Sequence, residues 1–251
     1  MRRLLRKARR LMNDARDVVF PERLVDPDID TAEARAEARW ETLFAPFQSL
    51  TEDADILEIG CGDGRLLQGR FQASPDQGPA RSAVGLDHVD YWNGQGGAVA
   101  LGPEGAGSRI ELHNDVRYIH ALDGASFDLI LCHNFETMFE LAEVEDVLRR
   151  LYDLLRPGGD FLVVVGCPDL ASDDSRGPGY GVLTPSSWMM LMMRAGFEVR
   201  SVRRQWKSAE AAAAAAAILP LASEEERMTA ELRCHLIRPW EAAELDQLWT
   251  A

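Results

Sequence analysis

An apolar stretch that runs straight into three closely spaced glycines restricts the fold of this chain more than any other feature. Residues 55–65 read DILEIGCGDGR, and their apolar first half predicts a short buried strand. Gly60, Gly62 and Gly64 let the backbone turn tightly and approach a ligand without Cβ atoms in the way. A helix is predicted to follow Arg65. A strand, a glycine-rich turn and a helix in this order are typical of the opening of a nucleotide-type α/β domain.

Length and charge limit the class of protein. The chain has 251 residues, of which 46% are hydrophobic, and this predicts one folded domain with a terminal extension rather than two domains. The formal net charge of -14 argues against nucleic acid as a partner, because nucleic-acid binding draws its affinity from Lys and Arg. No apolar run approaches the roughly 20 residues that span a bilayer, and the first residues lack the apolar centre of a secretory signal. We therefore expect a cytoplasmic protein.

The cysteines indicate neither disulfides nor a metal site. Cys61, Cys132, Cys167 and Cys234 lie far apart, show no C-x-x-C spacing and fall mostly within or beside apolar runs. They are predicted to be reduced thiols in the core.

The first 30 residues are predicted to form an extension and connector before the main domain, which takes residues 31–251. Residues 1–19 carry apolar side chains at helical spacing and arginines on the other side, which indicates a basic amphipathic helix. Such a helix lies on an anionic membrane surface, or it docks on its own domain or frays in solvent. An organellar presequence is a third interpretation, and all of them stay open.

Carboxylates follow the second and third predicted strands. Asp87 ends the strand at residues 82–87, and in nucleotide-binding folds an acid at this point accepts hydrogen bonds from ribose hydroxyls. An aspartate in a surface turn is the alternative. Asp115 and Val116 follow the third strand, at residues 110–113, and suit the amino group and the ring of adenine. Helix capping by Asp115 is the competing interpretation.

The fourth predicted strand, residues 127–132, is apolar enough for the middle of a parallel sheet. The residues after its carboxyl end are predicted to lie in the region where open α/β sheets bind substrates: His133, Asn134, Phe135 and Glu136. His133 and Glu136 are the candidate general bases, and a structural role is the alternative for each.

The second half of the chain is predicted to alternate helices and strands: helix 140–155, strand 161–166, helix 185–194, strand 198–202 and strand 232–237. The first of these helices ends at the sequence RPGG, which breaks helices. Thr184 and Pro185 are the predicted cap and first residue of the second helix. The methionine-rich residues 188–193 line a substrate pocket in one interpretation and fill the core in the other.

Six short motifs, taken in order, resemble those of the class I S-adenosylmethionine-dependent methyltransferases. They are EIGCGDG at 58–64, GLD at 85–87, NDV at 114–116, FDLI at 127–130, LRPGG at 155–159 and AGF at 195–197. The resemblance implies an α/β fold: a Rossmann-like, doubly wound, mostly parallel sheet of seven strands with the last strand antiparallel, and helices on both faces.

The resemblance also implies S-adenosylmethionine as cofactor and S-adenosylhomocysteine as product. Glu58 would hold the methionine end of the cofactor through water, and Asp87 would accept hydrogen bonds from the ribose hydroxyls. Asp115 and Val116 would recognise the adenine. The implied cofactor-binding residues are Glu58, Gly60, Cys61, Gly62, Gly64, Asp87, His88, Asp115, Val116, His133 and Asn134. Many small-molecule members carry a Glu-His pair after the fourth strand, where this chain has Thr137 and Met138. The resemblance therefore transfers no catalytic base.

Two other classes compete with a methyltransferase. A nicotinamide-dependent oxidoreductase shares the glycine turn and the second-strand acid, but its G-x-G-x-x-G signature needs a third glycine where Arg65 stands. A non-catalytic scaffold of the same fold is the second alternative. The expected acceptor is a small molecule such as a sugar or another metabolite, methylated on oxygen or nitrogen, or a lipid-linked one if residues 1–19 bind membranes.

Overall fold

A seven-stranded sheet organises the part of the chain that the structure, a computed structural model, describes. The described residues are 50, 53–62, 64, 67, 80–87, 109–133, 135, 138–166, 183–206 and 229–240. The strands are β1 (Asp55–Ile59), β2 (Ser82–Leu86), β3 (Arg109–His113), β4 (Phe127–His133), β5 (Leu155–Gly166), β6 (Glu198–Trp206) and β7 (Thr229–Ile237). A 3₁₀ helix (Val116–His120) follows β3, and two α-helices, α1 (Val144–Leu154) and α2 (Pro185–Arg194), precede β5 and β6.

The strand order is β3-β2-β1-β4-β5-β7-β6. The first five strands pair in parallel, whereas β7 is antiparallel to both of its neighbours, β5 and β6. This confirms the expected mostly parallel sheet with an antiparallel last strand. The chain moves outward from β1 to β3 and then returns to the other side of β1 with β4, so the topological switch point lies between β1 and β4. Open α/β sheets bind ligands at the carboxyl ends of the strands beside that point.

Apolar side chains cover both faces of the sheet, because successive residues of a strand point to opposite faces. On one face, Leu57 and Ile59 of β1 join the core that contains the 3₁₀ helix, α1 and α2. On the other face, Ile56 packs in a second cluster with Leu112 and Leu129. Cys61, Cys132 and Cys234 are buried, as expected.

Four neighbouring strands are joined by an ionic cluster at their amino ends, opposite the switch-point edge. Arg156 Nη1 lies 2.8 Å from Asp55 Oδ2 and 2.6 Å from Asp128 Oδ2. Arg81 Nη1 lies 2.5 Å from the same Asp55 oxygen, and Ser82 Oγ donates to Asp55 Oδ1 at 2.7 Å. Burial alone would lower the pKa of Arg81, but the surrounding carboxylates, Asp55 first, outweigh it and raise that pKa.

Several element boundaries differ from those predicted. The helix α1 begins at Val144 rather than near residue 140, and β5 begins at Leu155, so the RPGG sequence lies inside a strand rather than in a loop. The reason is tertiary, because the Gly158 N–H donates to Arg238 O and the Arg238 N–H donates to Gly159 O. This pairing with Arg238, which follows β7, extends the hydrogen-bond ladder of β5 to the residues beside Pro157.

Some predictions fall on residues outside the described ranges. They are the extension and connector at 1–30 and Cys167. Within the described ranges, no helix combines the length and the apolar composition that crossing a membrane requires.

Candidate functional site

The glycine turn lies at the carboxyl end of β1, beside the switch point. Its glycines have positive φ angles of 76° at Gly60, 59° at Gly62 and 78° at Gly64, a region that residues with a Cβ rarely adopt. The N–H groups of Gly60 and Cys61 both donate to Leu86 O, at 2.8 and 3.2 Å. The turn is therefore fastened to the end of β2.

Asp87 is the side chain that completes this connection. It is 3% exposed, and its Oδ2 accepts the Gly62 N–H at 2.9 Å. Its own N–H donates to His113 O at 3.0 Å, which fixes it to the end of β3. The structure thus brings the predicted glycine turn and the predicted acid together. The alternative of an aspartate in an exposed surface turn is wrong.

Leu112 of β3 holds the turn from below, and the sequence motifs did not indicate it. A Cβ added to Gly64 would lie 2.8 Å from Leu112 Cδ1, and one added to Gly85 would lie 2.6 Å from Leu112 Cδ2 and 2.8 Å from Cys61 Sγ. Because Leu112 is 1% exposed, it has little room to move away. The Leu112 side chain therefore fits under the turn because Gly64 and Gly85 carry no Cβ.

Gly64→Ala and Gly62→Ala form a matched test of this packing. Both substitutions place a Cβ at positive φ, which costs roughly 1–2 kcal/mol, but a Cβ on Gly62 meets nothing within 4 Å. We expect Gly64→Ala to lower the free energy of unfolding by about 1–3 kcal/mol more than Gly62→Ala, because of the collision with Leu112. Urea denaturation measures the difference. Equal losses would show that Leu112 does not constrain the turn.

The other predicted residues near the turn occupy different environments. Glu58 is 3% exposed and lies in register between Gly85 of β2 and Leu131 of β4. Val116 is buried in the core. Asp115 is exposed and caps the 3₁₀ helix, because its Oδ1 accepts the Arg117 N–H at 2.9 Å. The competing interpretation of Asp115 as a cap is therefore confirmed.

His113, at the end of β3, is held by neighbours in its own segment. Its ring stacks on Tyr118 with centroids 3.8 Å apart, and its Nε2 lies 3.6 Å from Glu111 Oε2. These contacts give His113 a structural role at the end of β3.

The carboxyl end of β4 differs from the prediction at one position. The backbone of His133 pairs with Val164 of β5 at the switch-point edge, as expected. Phe135, however, is fully buried and packs against Phe139 and Trp188, with centroids 5.2 and 5.8 Å away. The expectation that it faces the substrate region is wrong, because an apolar ring gains more from burial in this aromatic cluster. His88, Asn134 and Glu136 lie outside the described residues.

Part of the methionine-rich segment fills the core, as one of its two interpretations expected. Trp188 and Met192 of α2 are core residues. Met189, Met190 and Met193 instead line a groove at the far edge of the sheet, away from the glycine turn. Among the described residues, no group of three or more His, Cys, Asp or Glu side chains forms a metal site.

A mostly parallel sheet whose switch point carries a glycine turn hydrogen-bonded to a buried acid is typical of α/β proteins that bind nucleotide cofactors. Residues 56–159 match the methyltransferase domain family. This match agrees with the resemblance of the sequence motifs to the class I S-adenosylmethionine-dependent methyltransferases. No curated protein matches the chain significantly in sequence.

Three solved structures illustrate the fold. An S-adenosylmethionine-dependent methyltransferase from Mesorhizobium loti is 20% identical, with 80% of this chain and 97% of that one covered and a TM-score of 0.52. The 1,6-didemethyltoxoflavin-N1-methyltransferase of Burkholderia thailandensis, solved with 1,6-didemethyltoxoflavin and S-adenosylhomocysteine, is 18% identical over 86% and 94%, with a TM-score of 0.51. The [4+2]-cyclase SpnF is 13% identical over 93% of each chain, with a TM-score of 0.56.

Proposed function

We propose that the protein transfers a methyl group from S-adenosylmethionine to a small-molecule acceptor. The hydrogen bond from the Gly62 N–H to the Asp87 carboxylate carries this proposal, because it places a backbone turn without Cβ atoms beside a buried acid at the switch point. A nucleoside with a charged amino-acid tail needs both features: close approach of the backbone and an acceptor for ribose hydroxyls.

The residues present suit this cofactor. Asp87 would accept the ribose hydroxyls, and Gly60, Gly62 and Gly64 would line its path with bare backbone. Glu58, buried beside the turn, would hold the methionine end. The remaining members of the proposed binding set are Cys61, His88, Asp115, Val116, His133 and Asn134. Asp115 already accepts the Arg117 N–H through Oδ1, so a contact with adenine would use Oδ2.

Methyl transfer requires little of the protein beyond positioning the acceptor against the cofactor. The bound sulfonium cofactor supplies an activated methyl group and a good leaving group. Holding an acceptor in line with it is worth up to roughly 7–11 kcal/mol in favourable cases. A general base is required only if the acceptor must lose a proton before attack. His133, at the switch-point end of β4, and Glu136 are the proposed candidates for that role.

A small acceptor is favoured by the charge of the chain and by one similar solved structure. The net charge of -14 opposes the approach of phosphate-rich polymers. The Burkholderia enzyme, which has a similar fold, is crystallised with 1,6-didemethyltoxoflavin bound. A sugar, a lipid-linked compound or another metabolite with a reactive oxygen or nitrogen fits the proposal equally.

The experiment is an incubation of the protein with a metabolite extract and methyl-labelled S-adenosylmethionine. We expect label in the fraction that passes a filter retaining protein and nucleic acid, and we expect the Asp87→Ala variant to transfer much less at limiting cofactor. Label confined to the retained fraction would contradict a small acceptor. No transfer in any fraction would contradict methyl transfer and favour a different reaction on the same fold, as in the cyclase SpnF.

A further inference from the structure

Gly85, near the end of β2, is a glycine that its backbone conformation does not require. It pairs with Glu58 of β1 on one side and with Leu112 of β3 on the other. Its φ angle, unlike those of the turn glycines, is not positive, so a residue with a side chain could adopt the same conformation. Glycine inside a strand also lowers stability and often marks a close approach. The reason for a glycine at residue 85 is therefore the space that its missing Cβ leaves.

Two side chains occupy that space. A Cβ on Gly85 would lie 2.6 Å from Leu112 Cδ2, 2.8 Å from Cys61 Sγ and 3.1 Å from Cys61 Cβ. Non-bonded carbon atoms normally stay about 3.5–4.0 Å apart, so the added atom would collide with both residues. Leu112 belongs to the neighbouring strand, whereas Cys61 belongs to the glycine turn itself. The thiol of Cys61 is therefore a side-chain contact between the turn and β2.

The side chain of Cys61 belongs to the core, although its backbone is part of the turn. Cys61 is 5% exposed and packs in the second apolar cluster, with Leu112 and Ala83. Its Sγ also lies 3.6 Å from Gly62 O, as a weak donor. Gly62 is the residue whose N–H donates to the Asp87 carboxylate. Cys61 thus contacts both the strand under the turn and the residue that is bonded to the buried acid.

We propose that Cys61 is a positioning residue of the cofactor site. Its side chain, packed into the space that Gly85 leaves, sets the position of the glycine turn over β2 and thereby the hydrogen bond from Gly62 to Asp87. Cys61 contributes to the binding set through its backbone, and its thiol does not contact the cofactor. This inference rests on the proposed function, because it takes the glycine turn as the cofactor site.

Two substitutions distinguish this positioning role from a contact between the thiol and the cofactor. A direct contact would be lost in Cys61→Ala whether or not residue 85 carries a Cβ. A positioning role predicts compensation, because the sulfur atom and a Cβ on Gly85 would lie only 2.8 Å apart. The double variant therefore moves one heavy atom across the contact, and volume-conserving exchanges are tolerated best. The place that the sulfur leaves also lets Leu112 move aside.

The first test is calorimetric titration of the full chain with S-adenosylhomocysteine. We expect Gly85→Ala to weaken binding at least roughly tenfold, because overpacking a buried contact displaces the backbone. The variant that combines Cys61→Ala with Gly85→Ala should bind at least roughly threefold more tightly than Gly85→Ala alone. Gly124→Ala is the matched control, since a Cβ there would lie at an ordinary 3.6 Å from Asp153 O. It should bind as the wild type does.

The second test needs no cofactor and measures the Gly62 amide proton by nuclear magnetic resonance. Donation to a carboxylate moves an amide proton downfield, so the Gly62 resonance should move upfield in Gly85→Ala and return in the double variant. The Leu162 amide, in the middle of the sheet on β5, should keep its resonance in every variant. A general loss of stability would not produce this pattern in the folded molecules. If Gly85→Ala does not fold, Cys61→Val overpacks the same contact from the turn and should show both effects.

Three results would overturn the proposal: wild-type affinity in Gly85→Ala, a double variant that binds no better than Gly85→Ala, or a Gly62 resonance that stays in place. Failure of the wild-type chain to bind S-adenosylhomocysteine would contradict the proposed function instead. The Gly62 resonance would then decide the positioning role by itself.

Discussion

Replacing Asp87 by alanine is expected to weaken the binding of S-adenosylmethionine and S-adenosylhomocysteine by between about tenfold and hundredfold. Hydrogen bonds to a charged group contribute about 1.5–3 kcal/mol, and the variant loses those to the ribose. It also removes the acceptor of the Gly62 N–H, so the turn loses one of the bonds that hold it to the end of β2. Isothermal titration calorimetry of both ligands measures the change.

Two variants accompany this measurement. Asp87→Asn keeps the shape and an acceptor oxygen but loses the charge, so we expect a smaller loss of affinity than for alanine. Asp123→Ala changes an exposed aspartate after the 3₁₀ helix and should not affect binding. A folded Asp87→Ala variant with wild-type affinity would remove Asp87 from the cofactor site.

Replacing Arg156 by alanine is expected to lower the free energy of unfolding by about 3 kcal/mol. The Arg156 side chain is 18% exposed, and it contacts two carboxylates that are 12% and 14% exposed. Breaking a largely buried ion pair by removing one partner costs about 3–5 kcal/mol, because the other charge loses compensation. Part of the compensation stays here, because Arg81 Nη1 still lies 2.5 Å from Asp55 Oδ2. The residual exposure of this cluster places the expectation at the lower end. Urea denaturation measures the loss.

Arg149→Ala is the control for this prediction, because the same substitution there removes an exposed i, i+4 pair on α1. It should cost about 0.5 kcal/mol or less. The cluster of Arg156 lies at the amino ends of the strands, so a folded Arg156→Ala protein should bind the cofactor normally. A loss of stability no larger than that of Arg149→Ala would show that the cluster does not hold the four strands together.

The sequence predicted the glycine turn and Asp87 at the switch-point edge of the sheet, because these features depend on local chemistry. Positive φ angles require glycine at 60, 62 and 64, and a strand that ends in Asp87 needs no knowledge of distant residues. The cap at Thr184, which accepts the Ser187 N–H at 3.2 Å, was predicted for the same reason.

The features that the sequence did not indicate depend on contacts between distant segments. Leu112 looks like any apolar strand residue until the fold sets it against Gly64 and Gly85. The early start of β5 follows from pairing with Arg238, far along the chain. Phe135 follows β4 in a position suited to substrate, but the packing of α2 places Trp188 beside it and makes it a core residue. Local patterns carry no signal for such pairings.

Calorimetric titration of the full chain with S-adenosylhomocysteine and, separately, with NAD tests the central claim most directly. The geometry of the glycine turn and Asp87, together with the family match, predicts saturable one-site binding of S-adenosylhomocysteine that Asp87→Ala weakens, and no binding of NAD. Saturable binding of NAD, with no heat from S-adenosylhomocysteine, would contradict the assignment of this site to a methyl donor.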